Sequence, residues 1–332
     1  MMAKVFLTHT PDMLENYYGA RAVAALGEMA EVIINRTERV LDADALAAEA
    51  KGCAIIVSDR QTPGPAAFFD KAPDEVAAFL RCAVDIRNID VEAASRKGIL
   101  VTQATPGFAT SVAELTLGFM IDLARHMTSS AIEHRAGAEA TVRMGRQLSG
   151  SVLGIIGYGV IGERLGKLAL AFGMKVIACD PHKRIAEPGI EQRSFEEVLA
   201  GSDFVVCLAV ATPETENLMD AAAFARMRGV AFFLNLSRGN LVDEEALERA
   251  LDEKRIAGAA MDVGRAPDQK PSLRLARRPD VIATPHIAGL TPGAIEHQAF
   301  DTVAQVRALL AGEVPKGAVN AEKASRLARL KR

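Results

Sequence analysis

The segment SVLGIIGYGVIGERLGKLALAFGMKVIACD, residues 151–180, decides the fold. It begins with an apolar run, passes through a Gly-x-Gly-x-x-Gly turn into a helical pattern, and ends in a second apolar run that closes with Asp180. A strand, a glycine turn, a helix and a strand with an acidic end form the dinucleotide-binding β-α-β unit. The alternative is a glycine turn in an α/β protein that binds no nucleotide, and the coincidence of all four features argues against it.

Each residue of the glycine motif has a physical role. Gly157 allows the tight turn, Gly159 lets the backbone approach a pyrophosphate, and Gly162 lets the helix pack closely on the strand. The helix is expected to start near Ile161. Val160 and Ile161 therefore lie at the positive helix end, where free N–H groups hold phosphate.

Asp180 sets the expected cofactor. A carboxylate at the end of the second strand accepts hydrogen bonds from the ribose hydroxyls and repels a 2′-phosphate, which favours NAD over NADP. His182, Lys183 and Arg184 follow directly and weaken that preference. NAD is the predicted cofactor, and acceptance of NADP stays open.

Short apolar runs alternate with amphipathic runs along the rest of the chain. The runs with strand character are 4–9, 31–35, 53–58, 79–84, 151–157, 175–180, 203–210, 230–236, 256–263 and 280–285. Helical patterns occupy 13–29, 42–50, 110–127, 163–173, 244–253 and 294–312, with Thr110 or Ser111 as the cap of the third. Strands this apolar suit a parallel sheet that is covered on both faces. The alternation predicts an α/β protein of two Rossmann-like, doubly wound parallel-sheet domains with a cleft between them.

The helix over 294–312 is expected to cross back to the first lobe. We therefore predict a discontinuous substrate-binding domain, residues 1–108 plus about 294–332. The NAD-binding domain is predicted to comprise residues 109–293.

Composition excludes several function classes. The 332 residues carry 39 Lys and Arg against 42 Asp and Glu, so the chain lacks the positive field that nucleic-acid binding requires. No apolar run is long enough to span a bilayer, and the N-terminus lacks a signal-peptide pattern, so we expect a cytoplasmic protein without a membrane partner. The four cysteines lie in strand-like runs without Cys-x-x-Cys spacing, which indicates buried thiols rather than disulfides or metal ligands.

Two polar motifs follow strands of the second lobe. They are Asn235-Leu236-Ser237-Arg238-Gly239 and Thr284-Pro285-His286-Ile287-Ala288-Gly289. Ligands of open α/β sheets bind at the carboxyl ends of the strands. Arg238 is permanently charged and suits a carboxylate, and His286 can transfer a proton near neutral pH. Taken singly, each has an ordinary alternative, a surface arginine and a structural histidine.

The order of these motifs carries a family resemblance. GIIGYGVIG (154–162), Asp180, NLSRGNLVDEEAL (235–247), GAAMDV (258–263) and TPHIAGLT (284–291) succeed one another. Together they resemble the D-isomer-specific 2-hydroxyacid dehydrogenase family, which includes phosphoglycerate dehydrogenase. VEAASRKGILV (91–101) and SVAELTLG (111–118) are similar to that family's substrate lobe and connecting helix, so the resemblance covers nearly the whole chain.

The resemblance implies roles for single residues. Arg238 matches the arginine that binds the substrate carboxylate and polarises its keto oxygen, and His286 matches the general acid and base. Asp262 matches an aspartate that contacts the nicotinamide carboxamide. The other implied cofactor-binding residues are Thr212, Leu236, Ser237 and Gly289. The resemblance also implies a homodimer that forms through the second lobe.

The chain departs from the family at the third catalytic residue. The family has a glutamate there that hydrogen-bonds the histidine and raises its pKa. The matching stretch, residues 262–268, has Ala266 before its proline and contains no glutamate. The alternative partner for the histidine is the carboxylate of Asp268, from beyond Pro267.

The predicted substrate-binding residues are Val84, Asp85 and Arg87. The family often has glycines in this loop, whose N–H groups hold the substrate carboxylate. Asp85 repels an anion unless it points away. Arg87 either binds a second acidic group of the substrate or forms an ion pair with Asp85 or Asp90.

The sequence therefore predicts an NAD-dependent oxidoreductase that interconverts a D-2-hydroxy acid and a 2-keto acid by hydride transfer. Its partner is a small-molecule 2-keto or 2-hydroxy acid, and no metal is expected. The departures leave two alternatives. One is an NAD(H)-binding sensor with vestigial catalysis, and the other is an enzyme for a phosphorylated or otherwise non-standard acid.

Overall fold

The chain folds into two compact α/β units. The computed structural model describes residues 2–331, so Met1 and Arg332, which the expected domain bounds include, lie outside the described residues. Unit 1 comprises the described residues of 1–107 and 291–332, and unit 2 comprises residues 108–290.

Unit 1 contains a parallel sheet of five strands. The strands are β1 (Lys4–Leu7), β2 (Glu31–Ile34), β3 (Ile55–Ser58), β4 (Ala78–Arg81) and β5 (Leu100–Thr102). Their order in the sheet is β2-β1-β3-β4-β5, so the carboxyl ends of all five lie at one edge.

Helices cover both faces of this sheet because alternate strand residues point to opposite sides. Val5 and Leu7 pack with one set of helices, and Phe6 packs with the other. The first face carries α1 (Pro11–Tyr17), α2 (Ala20–Gly27) and the late helix α13 (Pro292–Leu310); the second carries α3 (Ala43–Glu49), α4 (Ala66–Lys71) and α5 (Val91–Arg96).

Unit 2 contains a parallel sheet of seven strands. The strands are β6 (Val152–Ile156), β7 (Lys175–Cys179), β8 (Ile190–Gln192), β9 (Phe204–Cys207), β10 (Phe232–Asn235), β11 (Gly258–Met261) and β12 (Val281–Ala283). Their order is β12-β11-β10-β9-β6-β7-β8. Beginning at β6, the chain winds outward in both directions, which makes the sheet doubly wound.

Two apolar layers enclose the sheet of unit 2. The helices are α6 (Ala109–Arg125), α7 (Met127–Arg135), α8 (Val160–Ala171), α9 (Phe195–Gly201), α10 (Ala221–Arg226), α11 (Glu244–Asp252) and α12 (Leu273–Ala276). Residues of α6 and α8 form the first layer, and residues of α9, α10 and α11 form the second. The two parallel sheets, each with helices on both faces, confirm the predicted class of an α/β protein with two parallel-sheet domains.

The structure corrects three local predictions. The helix predicted over 13–29 is two helices, because the chain turns at Gly19 with a φ of +89°. Helix α6 has Phe108 at its N-cap and no side-chain cap, so Thr110 and Ser111 lie inside its first turn. The short edge strands β5 and β8 are additional, since three residues carry too little periodicity to be recognised.

The four cysteines are buried and free. Burial raises the pKa of Cys82 and of Cys207 to about 12, so these thiols are poor nucleophiles. Among the described residues, no helix is both long and apolar enough to cross a membrane. Within residues 2–331, no group of three or more His, Cys, Asp and Glu side chains is placed to hold a metal ion.

Candidate active site

The glycine turn joins β6 to α8 in unit 2. Gly157 has a φ of +90°, and a Cβ there would lie 2.6 Å from backbone atoms of Ala209. A Cβ on Gly162 would lie 2.7 Å from the carbonyl oxygen of Gly157. A Cβ on Gly159, by contrast, would meet no atom within 4 Å. Protein atoms therefore require glycine at the first and third positions, whereas the middle glycine faces open space.

That space lies at the start of α8. Gly159 is the N-cap of the helix and supplies no side chain, so the first N–H groups, beginning at Val160 and Ile161, receive no side-chain cap. Uncapped N–H groups and the positive end of the helix fit a pyrophosphate. The turn has both the donors and the room that a dinucleotide requires.

Asp180 ends β7 beside this turn and is half-buried. One carboxylate oxygen accepts the N–H of Tyr158 and the other accepts the N–H of His182, both at 2.9 Å. Each oxygen retains a lone pair for a further hydrogen bond, which suits ribose hydroxyls. Lys183 forms an ion pair with Glu163, so its charge is already engaged.

The loop after β10 carries Arg238 and is shaped by Asn235. The Asn235 side chain accepts the N–H of Ser237 at 3.1 Å and donates to the carbonyl oxygen of Arg238 at 2.9 Å. The Ser237 hydroxyl donates to the carbonyl oxygen of Ala209 at 2.6 Å, which ties this loop to the loop after β9. The role of Asn235 was not predicted from the sequence, although an asparagine two residues before a serine signals such a turn.

His286 lies in the loop after β12 and has a φ of +61°. Its Nδ1 lies 3.0 Å from the main-chain carbonyl oxygen of Asp268. Because a carbonyl oxygen only accepts, Nδ1 carries the proton of this hydrogen bond. In the neutral ring Nε2 is then the basic nitrogen, available to exchange a proton.

The segment that supplies this carbonyl connects the two polar motifs. Asp268 and Gln269 have φ values of +59° and +58°, a left-handed conformation that few residues other than glycine adopt. Gln269 accepts the N–H of Gly264 with its carbonyl oxygen at 2.8 Å and the N–H of Gly239 with its side chain at 3.3 Å. The segment after β11 thus bonds both His286 and the residue that follows Arg238.

This geometry revises the alternative that gave His286 the carboxylate of Asp268. The structure brings Asp268 to the ring, but through its main chain. No sequence signal marks two successive left-handed residues that are not glycine. Strained backbone at Asp268, Gln269 and His286 is typical of functional sites, where the surrounding contacts hold it in place.

Asp262 is 1% exposed and holds the His286 loop. One of its carboxylate oxygens accepts the Thr284 hydroxyl at 2.6 Å and the N–H of Ile287 at 2.8 Å, and the other accepts the N–H of Ala288 at 2.8 Å. The implied contact with a nicotinamide carboxamide stays a prediction. The observed partners make Asp262 the acceptor that shapes the loop carrying His286.

The remaining implied cofactor-binding residues lie in the same carboxyl-edge loops. Leu236 is buried, and the N–H of Thr212 donates to the Thr215 hydroxyl at 2.8 Å. Gly289 packs against Phe108, where an added Cβ would lie 3.3 Å from the side chain.

The predicted substrate-binding residues belong to unit 1, in the loop after β4. Asp85 and Arg87 form an ion pair in which both carboxylate oxygens accept from the guanidinium, at 2.6 to 3.0 Å. This is one of the two pairings that the sequence left open for Arg87. Within the described residues, the backbone N–H groups of Ala83 and Val84 donate to no protein acceptor.

Together, the two parallel sheets and the dinucleotide-binding turn define a two-domain nucleotide-dependent α/β protein. Comparison with known proteins narrows this class. The model of the D-isomer specific 2-hydroxyacid dehydrogenase, NAD binding domain matches residues 117–288. The chain belongs to the D-isomer-specific 2-hydroxyacid dehydrogenase family, and its cofactor is NAD.

Individual relatives agree with this assignment. Hydroxypyruvate reductase of Thermotoga maritima is 33% identical over 239 residues, which cover 71% of this chain and 78% of the relative. D-3-phosphoglycerate dehydrogenase of Methanocaldococcus jannaschii is 37% identical over 247 residues, 72% of this chain but 47% of the relative. A solved structure of a Thermus thermophilus protein superposes with a TM-score of 0.84 at 30% identity, covering 95% of this chain and 99% of that chain.

The chain spans about half the length of the curated phosphoglycerate dehydrogenases that it matches. Their activity therefore does not transfer to it directly. The matching relatives are named as a dehydrogenase and a reductase. These names do not favour the alternative of an NAD(H)-binding sensor without catalysis.

Proposed function

We propose that the protein interconverts a D-2-hydroxy acid and a 2-keto acid, with NAD as hydride carrier. One observation carries this proposal. The segment after β11 hydrogen-bonds both His286 and Gly239, and Gly239 directly follows Arg238. A keto oxygen gains negative charge when its carbon accepts a hydride. A cation and a proton donor held at one edge of the sheet can stabilise that charge.

Each residue has a distinct task in this proposal. Arg238 binds the substrate carboxylate and stabilises the negative charge that develops on the keto oxygen. During reduction, Nε2 of the protonated His286 ring donates its proton to that oxygen while Nδ1–H stays bonded to Asp268. During oxidation, Nε2 accepts the proton of the substrate hydroxyl. NAD, when bound, supplies or accepts the hydride.

Exposed apolar side chains support a cofactor at this edge. Val160 follows the glycine turn, Val210 follows β9, and Ile287 and Leu290 follow β12, and all are exposed. Large apolar groups at loop ends are the surfaces on which the flat rings of a dinucleotide pack.

The loop after β4 supports a carboxylate substrate. The N–H groups of Ala83 and Val84 are available, and the charge of Asp85 is neutralised by Arg87. We therefore propose that the N–H groups of this loop hold the substrate carboxylate even though glycine is absent.

Replacement of Arg238 by alanine tests the proposal. We expect kcat/KM for 2-keto acid reduction to fall at least about a hundredfold, because a charge-stabilising donor is lost. The dissociation constant of NADH should remain near the wild-type value. Arg193→Ala, which removes an exposed arginine paired with Glu191, is the matched control. Wild-type turnover by Arg238→Ala on a verified substrate would refute the assignment.

We also propose that the protein assembles as a homodimer through α7 and the segment after it. None of the α7 residues is buried. Val142 and Met144 are 98% and 95% exposed, and Met127 and Ile132 of α7 are exposed as well. Apolar groups this exposed are typical of an interface between subunits.

Light scattering tests the assembly. We expect twice the mass of the chain for the wild type and the mass of a single chain for Val142→Lys combined with Met144→Lys. A wild-type protein with the mass of one chain at micromolar concentration would contradict the homodimer.

A further inference from the structure

The segment after β11, residues 264–270, lies largely at the surface of unit 2. Two backbone hydrogen bonds close it on itself. The N–H of Gly264 donates to the carbonyl oxygen of Gln269 at 2.8 Å, and the N–H of Ala266 donates to that of Lys270 at 3.0 Å. Its exposed residues are Arg265, Pro267, Asp268 and Lys270. Because packing buries so little of the segment, its position depends on the hydrogen bonds that tie it to the rest of unit 2.

The Arg265 side chain ties the segment to two neighbouring loops. Its Nε donates to the carbonyl oxygen of Val242 in the loop after β10 at 3.0 Å. Its Nη2 lies within hydrogen-bond distance of three further acceptors. They are the carbonyl oxygen of Asn240 at 3.0 Å, the carboxylate of Glu216 at 2.9 Å and the side-chain oxygen of Asn217. One guanidinium thus joins the segment to the loops after β9 and β10.

The two loops are also held to each other by backbone hydrogen bonds that do not involve Arg265. The N–H of Asn217 donates to the carbonyl oxygen of Asn240 at 2.9 Å. The N–H of Met219 donates to the carbonyl oxygen of Leu241 at 2.9 Å. The loops therefore present the guanidinium with acceptors in fixed places. Loss of the guanidinium should release the segment after β11 more than it releases the loops.

The chemistry of the acceptors suits an arginine. Hydrogen bonds from Asn240 and Arg265 lower the pKa of Glu216, so its carboxylate is charged at neutral pH. The planar guanidinium can donate to this carboxylate and to carbonyl oxygens at the same time. The backbone of Arg265 is held as well, because its N–H donates to the carboxylate of Glu244 at 3.0 Å, and Glu244 is 8% exposed.

We propose that Arg265 is a positioning residue for the reaction, which fixes the segment after β11 so that the Asp268 carbonyl oxygen holds the His286 ring in one orientation. This inference rests on the proposed function, because it takes His286 as the acid and base. The carbonyl oxygen lies 3.0 Å from Nδ1 of the ring. If the segment moves, Nδ1 loses this partner, and Nε2 is presented to the substrate less often.

Steady-state kinetics of Arg265→Met test the inference. We measure the reduction of hydroxypyruvate by NADH and expect kcat to fall about tenfold, because the ring is no longer held in one orientation. The dissociation constant of NADH should stay within about threefold of the wild-type value, since the loop after β9 keeps its backbone hydrogen bonds.

Arg278→Met is the matched control. Arg278 also belongs to unit 2 and also bonds more than one acceptor, the carboxylates of Asp252 and Asp280, but it lies between α12 and β12 and outside the loops of the site. Each variant removes a guanidinium that joins separate parts of unit 2, so we expect similar decreases in Tm. The kcat of Arg278→Met should equal that of the wild type.

The His286 ring provides a measurement that a general loss of stability does not imitate. In protein labelled with ¹⁵N-histidine, the NMR shifts of the ring nitrogens report which nitrogen carries the proton, and His286→Gln identifies the signals. We expect the neutral ring of the wild type to carry its proton on Nδ1. In Arg265→Met the shifts should move toward those of free histidine, whereas in Arg278→Met they should not move.

The outcomes separate this inference from the proposed function. Wild-type ring shifts in Arg265→Met would overturn the inference whatever its kcat, and so would equal losses of kcat in Arg265→Met and Arg278→Met. If the ring shifts move while kcat is unchanged, Arg265 positions the ring but the proposed role of His286 fails. Arg265→Lys keeps a charge beside Glu216, so it replaces Arg265→Met if that variant does not fold, and its ring shifts should move in the same direction.

Discussion

The carboxyl edges of the two sheets use their polar groups in opposite ways. In unit 2, Gly159 faces open space, and left-handed backbone at Asp268 and Gln269 turns a carbonyl toward His286. In unit 1, the nearly inaccessible Arg81 guanidinium bonds carbonyl oxygens of two loops. The first edge thus leaves donors and space for a ligand, whereas Arg81 at the second edge directs its donors toward the loops of its own unit. In unit 2 the polar groups leave space for a cofactor, whereas in unit 1 the Arg81 guanidinium keeps in place the loops after β3 and β4.

Replacement of Arg81 removes the hydrogen bonds that hold the loops of unit 1, and it has the largest expected effect on stability. Arg81→Met leaves several buried carbonyl oxygens without donors, which should lower the free energy of unfolding by about 3–5 kcal/mol. Arg193→Met, which removes an exposed pair with Glu191, should cost less than about 1 kcal/mol. Hydrogen exchange resolved by peptide should show lost protection in unit 1 alone. Equal losses in the two units would contradict a local role.

The contrast between these edges also explains what the sequence could predict. The alternation of strands and helices is a local pattern, and the glycine turn carries its strand and helix with it, so both could be recognised. The acceptors of Arg81 come from two loops of the folded chain, and nothing in the sequence near Arg81 identifies them. The Asp268 carbonyl depends on main-chain dihedral angles that have no residue signature.

We expect His9 to make the stability of the fold depend on pH. It follows β1, is 1% exposed, and faces Asp59, Arg81 and the ring of Tyr18. Burial lowers its pKa from 6.5 to about 4, with Arg81 acting in the same direction and Asp59 opposing it. The folded protein therefore disfavours protonation, and the stability that the neutral ring provides is complete above pH 6.5. As the pH falls from 6.5 toward 4, the unfolded chain takes up a proton first.

The expected loss over that interval is about 3 kcal/mol. Denaturant titrations at pH 7.5 and pH 4.5 measure it. His9→Phe cannot titrate, so its stability should fall less between these two pH values than that of the wild type. Parallel pH profiles for the two proteins would show that His9 does not control the dependence.

Two glycines of the turn in unit 2 should respond differently to substitution, one by losing stability and the other by losing affinity for the cofactor. Gly157→Ala places a Cβ against Ala209 at a positive φ and should cost about 2 kcal/mol of stability. Gly159→Ala meets no protein atom at a φ of −79°, so stability should stay within about 0.5 kcal/mol. Its Cβ occupies the space left for the pyrophosphate, and the affinity for NADH should fall at least about tenfold. Wild-type affinity in this variant would mean that the cofactor does not approach Gly159.

The smallest expected effects come from replacing left-handed residues by glycine, once outside the site and once inside it. Lys254 has a φ of +53° just after α11, where the N–H of Arg255 bonds the carbonyl oxygen of Ala250. Glycine is the preferred residue at such a helix end, so Lys254→Gly should raise stability by about 1 kcal/mol. Gln269→Gly relieves a similar dihedral angle, but it loses the bond to Gly239 and lets the Asp268 carbonyl move.

We therefore expect Gln269→Gly to gain no stability and to lower kcat about tenfold, because His286 is no longer held in one orientation. Lys254→Gly should leave kcat unchanged, since it lies outside the loops of the site. Calorimetry measures the stability of the two variants, and steady-state kinetics measures their kcat. Together they distinguish a left-handed residue that supports the site from one at an ordinary helix end. A Gln269→Gly enzyme with wild-type kcat would mean that the left-handed segment after β11 has no part in orienting the histidine.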